Sequence, residues 1–168
     1  MLAFSCNPAS QNNKNTEKGI SSFAEVSKNI IDTAKAYLGR EVSHPVFSIG
    51  NNGAIIIRGE STEFFIDPSD INIGQMDSDK TEDGIVSCAV TLGGKYPFRK
   101  HLLILNNGYL HVVKEFVSDM KVMQISKRIV YAERPIHSAN SPLHDCHVCK
   151  ENVMYKLAGD SLQEVKQP

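Results

Sequence analysis

Apolar and polar positions along the chain change their period near Pro45. Before it, Phe23, Val26, Ile30, Ala34 and Tyr37 recur at helical intervals behind a Ser22 and Glu25 pair with capping-box spacing. This predicts a helix that stops at Gly39, since glycine readily takes the backbone conformation of a C-terminal cap. Its face is apolar along its length, so the helix is expected to lie across a sheet.

After Pro45 the pattern is that of strands. Residues 46–49 and 54–58 flank Asn52-Gly53, which predicts a tight hairpin. Residues 63–67 read as a third strand closed by Pro68, and residues 84–92 as another, followed by the turn signal Gly93-Gly94. The densest signal follows, where Asn107-Gly108 sits between Leu102-Leu103-Ile104-Leu105 and Leu110-His111-Val112-Val113. A two-residue turn there would pair Leu105 with Leu110, Leu103 with Val112 and Arg99 with Phe116 on one face. On the other, Ile104 would meet His111, Leu102 would meet Val113 and Lys100 would meet Glu115. Both faces are then largely apolar. A sheet wetted on one side alternates apolar with polar, so this one is expected to be covered twice, by the chain's own elements, a second copy or a partner.

The remaining segments are weaker. Residues 69–83 are polar and acidic, a long connection for a compact domain. Asp79, Thr81, Asp83 and Gly84 begin like a calcium loop, but Val90 stands where a bidentate carboxylate is required, so an acidic turn is the reading. Residues 120–131 fit either period, and strand is favoured by Val130 and Tyr131. Residues 153–157 and 161–165 around Gly159-Asp160 read as a small hairpin. The fold class predicted is α+β, an N-terminal amphipathic helix on a curved, mainly antiparallel sheet. Residues 1–19, rich in polar groups, read as a flexible tail, 20–135 as the core domain, and 136–168 as a C-terminal extension.

Composition narrows the function classes. Eighteen basic and nineteen acidic residues among 168 leave a net charge of −1, which argues against a nucleic-acid partner. No apolar run approaches the roughly 20 residues of a membrane-spanning helix, so no membrane partner is expected. Four cysteines form no disulfide framework, and a reducing, cytoplasmic setting is the simpler expectation.

Candidate chemistry falls in three places. Cys146 and Cys149, spaced as Cys-x-x-Cys beside His144 and His147, could offer sulfur and imidazole ligands to zinc, with His137 as a further ligand. Ser87 or Cys88 could act as a nucleophile with His101 or His111 as base. A curved sheet could hold a ligand against His101, Tyr109 and His111. No Gly-rich phosphate loop or single pair of catalytic carboxylates stands out. The leading expectation is a non-catalytic binding or adaptor protein, a homodimer or protein-partnered, with Leu102, Ile104 and Val113 at the interface. The alternatives are a small enzyme or ligand binder using the sheet pocket, and a zinc-stabilised interaction module.

Overall fold

The structure is a computed structural model that describes residues 22–94, 97–136 and 149–166. The tail expected over 1–19 lies outside the described residues. Helix α1 (Phe23–Gly39) begins at Ser22, whose hydroxyl accepts the Glu25 amide at 3.3 Å, as the capping-box spacing predicts.

Seven antiparallel strands form the first sheet. They are β1 (Val46–Ile49), β2 (Ile55–Arg58), β3 (Thr62–Ile66), β4 (Ile71–Gly74), β5 (Asp83–Leu92), β6 (Phe98–Asn106) and β7 (Leu110–Val117). Their order is β1-β2-β3-β5-β6-β7, with β4 also paired to β5. The ten-residue β5 makes this possible. It pairs with β4 along Asp83 to Val86 and with β3 along Ala89 to Leu92, while β6 occupies its other edge. A second antiparallel sheet, order β11-β10-β9-β8, contains β8 (Lys121–Ser126), β9 (Ile129–Pro135), β10 (Lys150–Ala158) and β11 (Ser161–Val165).

The chain's own elements cover the first sheet on both faces. Ile30, Ala34 and Leu38 of α1 pack on Ile57, Phe64, Val86, Cys88, Leu102 and Ile104. On the opposite face Ile85, Leu103 and Leu105 meet Met120, Val122, Val130, Ala132 and Val153 of the second sheet region. Successive residues of β5 and β6 therefore feed two different cores, which accounts for their unbroken apolar runs. The helix lies so close that a Cβ on Gly84 would stand 2.8 Å from Cγ2 of Ile30.

Four features depart from the pattern-based expectation. The β6–β7 turn is one residue longer, with Asn106 opposite Leu110 and Gly108 at φ +92°. The register then shifts again, since Ile104 faces Val112 but Leu103 faces Lys114, leaving Val113 as a bulge. These two steps place His111 opposite Leu105 and Glu115 opposite Leu102. Lys100 and Glu115 still meet, as a diagonal pair with Nζ 3.0 Å from Oε2.

The second departure is β4, a short strand inside the polar segment that follows a 3₁₀ turn at Pro68–Asp70. The third is the β8–β9 turn, built on Lys127 and Arg128 with φ of +51° and +62°. That segment is extended, as expected, but its turn carries no glycine or asparagine and left no mark in the sequence. Lastly, β10 of the expected C-terminal extension pairs with β9, Val153 opposite Ala132, so the extension supplies half of the second sheet.

Left-handed backbone at a non-glycine residue costs on the order of 1 kcal/mol. Replacing Lys127 by Asn together with Arg128 by Gly should raise the unfolding free energy by about 1 kcal/mol in a urea titration, whereas no gain would mean that the turn is unstrained.

Candidate functional site

The pairing of β5 with β6 sets Ser87 opposite His101 on the face that meets the second sheet. Ser87 Oγ lies 2.8 Å from His101 Nδ1, and His101 Nε2 lies 3.2 Å from the Ser118 carbonyl oxygen. A carbonyl only accepts, so Nε2 carries the proton and Nδ1 accepts from the serine hydroxyl. The imidazole stacks on Phe116 with ring centroids 4.9 Å apart. Burial pushes its pKa down to about 4, the Ser118 carbonyl opposing the shift only in part, and the ring is neutral at pH 7.

The structure thus joins Ser87 and His101, two of the residues that the sequence offers for nucleophilic chemistry. Their surroundings suit packing better. Ser87 is 1% exposed and His101 is 0% exposed, leaving a substrate no approach to the hydroxyl. The pair ties β5 and β6 to the β7–β8 connection. Cys88, the other nucleophile considered, is also wholly buried, and burial pushes its thiol up to about 12, far from the thiolate a nucleophile needs.

The pocket expected from His101, Tyr109 and His111 is not assembled. Tyr109 and His111 do stack, with centroids 4.8 Å apart, and His111 Nδ1 lies 3.2 Å from the Tyr109 carbonyl oxygen. Both belong to the exposed end of the hairpin. His101 sits four residues along β6 from the partner of His111, on the order of 13 Å away at strand rise. Leu102 and Ile104, expected at an interface, are fully buried beneath α1, and Val113 packs toward the second sheet. Of the expected zinc ligands, His144, Cys146 and His147 lie outside the described residues, as does His137. Cys149 is joined in a disulfide. Among the described residues no group of three or more His, Cys, Asp or Glu side chains is placed to hold a metal ion.

Two polar arrangements, one half-buried and one buried, went unmarked in the sequence pattern. Lys100, with 12% of its side chain exposed, holds Glu41 Oε2 at 2.7 Å and Glu115 Oε2 at 3.0 Å, and the Tyr37 hydroxyl donates to Glu115 at 3.3 Å. Burial opposes the charges of this group. Even so, Lys100 is held above its ordinary value by its two carboxylate hydrogen bonds, while burial raises Glu41. The second arrangement is Asp83, fully buried, whose carboxylate accepts the Met76 amide at 2.8 Å and the Asn106 amide at 3.1 Å. Burial raises its pKa, and its hydrogen bonds fasten the 75–82 loop to the β6 end. Glu41 lies 59 residues from Lys100 and Asp83 lies 23 from Asn106, so spacing could not pair them.

Exposed apolar groups concentrate on β1, the terminal strand of the first sheet. Val46, Phe47 and Ile49 are 61%, 47% and 78% exposed. Gly50 N donates to the Ala54 oxygen at 2.8 Å, which fixes the alternation of the β1–β2 ladder. Ser48 therefore points its backbone groups toward β2, and Phe47 and Ile49 point theirs outward. Pro45, at the next outward position, offers no N–H.

Compared with models of protein families, with curated proteins and with solved structures, the chain matches none. No helix among the described residues is long and apolar enough to cross a membrane.

The His101 geometry fixes a pH dependence. The unfolded imidazole binds a proton near 6.5 and the folded one only near 4, so the unfolded state carries the extra proton between those values. Its contribution is complete above about pH 6.5 and falls as the pH drops toward 4, by ~3 kcal/mol in all. Urea midpoints recorded from pH 7 to 4.5 should decline, and in a His101→Gln chain the decline should flatten. An equal slope in both would assign it to other groups.

Proposed function

We propose that the protein is a non-catalytic binding or adaptor protein that works as a homodimer, two copies joining through the free edge of β1. The observation that supports this reading is an edge strand, unpaired among the described residues, carrying three exposed apolar side chains without the inward charge or edge lysine that usually blocks such strands.

The ladder favours one arrangement. Outward-facing backbone groups belong to Phe47 and Ile49, and Pro45 limits the edge on that side. An antiparallel pairing centred on Ser48 sets Phe47 of each copy opposite Ile49 of the other. Both residues then exchange two hydrogen bonds with their opposite number, and the contact is self-complementary about a two-fold axis. Phe47 and Ile49 share the face that carries α1, where Phe47 Cζ would stand 2.9 Å from a Cβ on Gly39. A side chain already braced on the helix end loses little freedom on pairing. The contact is small, so association is expected to depend on protein concentration. The sealed state of Ser87, His101 and Cys88 speaks against a catalytic reading.

Sedimentation velocity across a range of concentrations should reveal a monomer–dimer equilibrium, and Ile49→Lys should abolish it while leaving the far-ultraviolet circular dichroism unchanged. A chain that stays monomeric throughout, or an Ile49→Lys chain that still dimerises, would remove this reading.

A further inference from the structure

We propose that the cavity between the two sheets is a binding site for a small amphipathic carboxylate, a molecule with an apolar body and one anionic end. The cavity measures about 290 Å3, near the lower limit for small-molecule pockets. It lies toward β7 and β11, the terminal strands of their sheets, at the side where neither ladder continues among the described residues. Leu103 and Phe116 line it from the first sheet, and Met120 and Leu162 complete an apolar interior. Four residues with polar side chains line the same space, Lys114, Ser118, Tyr155 and Ser161, and Lys114 alone among the lining residues is charged.

The bulge at Val113 is what brings the charge there. Without it Val113 would stand opposite Leu103, whose side chain is wholly buried in the inter-sheet core. The extra residue moves Lys114 into that position and turns its side chain to the cavity side, a re-aiming for which bulges are used at binding sites. Lys114 makes no hydrogen bond or ion pair with another described residue. Lys100, on the same hairpin but the opposite face, has two carboxylates. An unpaired ammonium beside an apolar hollow is complementary to an anion attached to an apolar body, with Tyr155 available as a second donor. Neutral His101 lies behind Phe116 and offers no competing charge.

Octanoate is a suitable probe, with 1-octanol as its uncharged counterpart. Titration followed by NMR on the Met120 methyl and Tyr155 ring signals should saturate at one octanoate per chain. Lys114→Met, a substitution at an exposed position, should weaken octanoate about fivefold, the scale of a partly exposed ion pair, and leave octanol unchanged. Leu162→Trp, which fills the hollow, should abolish both. Ile49→Lys should bind octanoate as the parent chain does, because the site is independent of the β1 edge. The proposal is overturned if octanoate fails to saturate, if Lys114→Met retains full affinity, or if a folded Leu162→Trp chain still binds.

Discussion

Two adjacent strands, β5 and β6, are apolar on both faces, and most of the architecture follows from the need to cover them twice. One face is closed by a single helix and the other by a complete second sheet. At Gly84 the first face lets a helix approach to near contact. The opposite face carries Ile85, Leu103, Leu105 and the His101 ring, and the second sheet covers it. Removing either cover would expose one side of a sheet whose residues have no polar alternative.

How much of this could be read in advance depended on how local each cause was. The helix, its Ser22 cap, both Asn-Gly turns and the need for two covers rest on residues within a few positions of one another, and they were legible. Turn length at Asn107 and the bulge at Val113 were not, because one inserted residue is invisible to a period-two pattern. The Lys127-Arg128 turn lacked the residues that normally announce positive φ. That the second sheet is formed by strands between residues 121 and 165, with the expected C-terminal extension as half of it, also lies beyond pattern alone. Strand alternation reports which face is buried and not which element buries it.

The candidate chemistry shows the same division. Ser87, Cys88 and His101 were recognisable as reactive types, and Ser87 does meet His101. Yet reactivity is set by exposure, which sequence does not supply: a histidine held neutral and a thiol pushed up to about 12 are consequences of low-dielectric surroundings. The residues left available for recognition are those at the margins of the sheets. They are the outward backbone of β1 and the side chains that the β7 bulge redirects.

The order of the strands along the chain has a kinetic consequence. Each sheet is built from one uninterrupted stretch, with hydrogen-bonded neighbours that are nearly all neighbours in sequence. Opening the second sheet would break no rung of the first sheet's ladder. The ties it would sever are the packing of the shared core and side-chain bonds such as Asn72 Nδ2 to the Val122 oxygen. The molecule is thereby divided into two cooperative units, the later of which can open while the earlier keeps its helix and its ladder. Amide protons of β10 and β11 are therefore expected to exchange faster than those of β5 and β6. The inter-sheet hollow, already open at the sheet margin, would widen as the two sheets part.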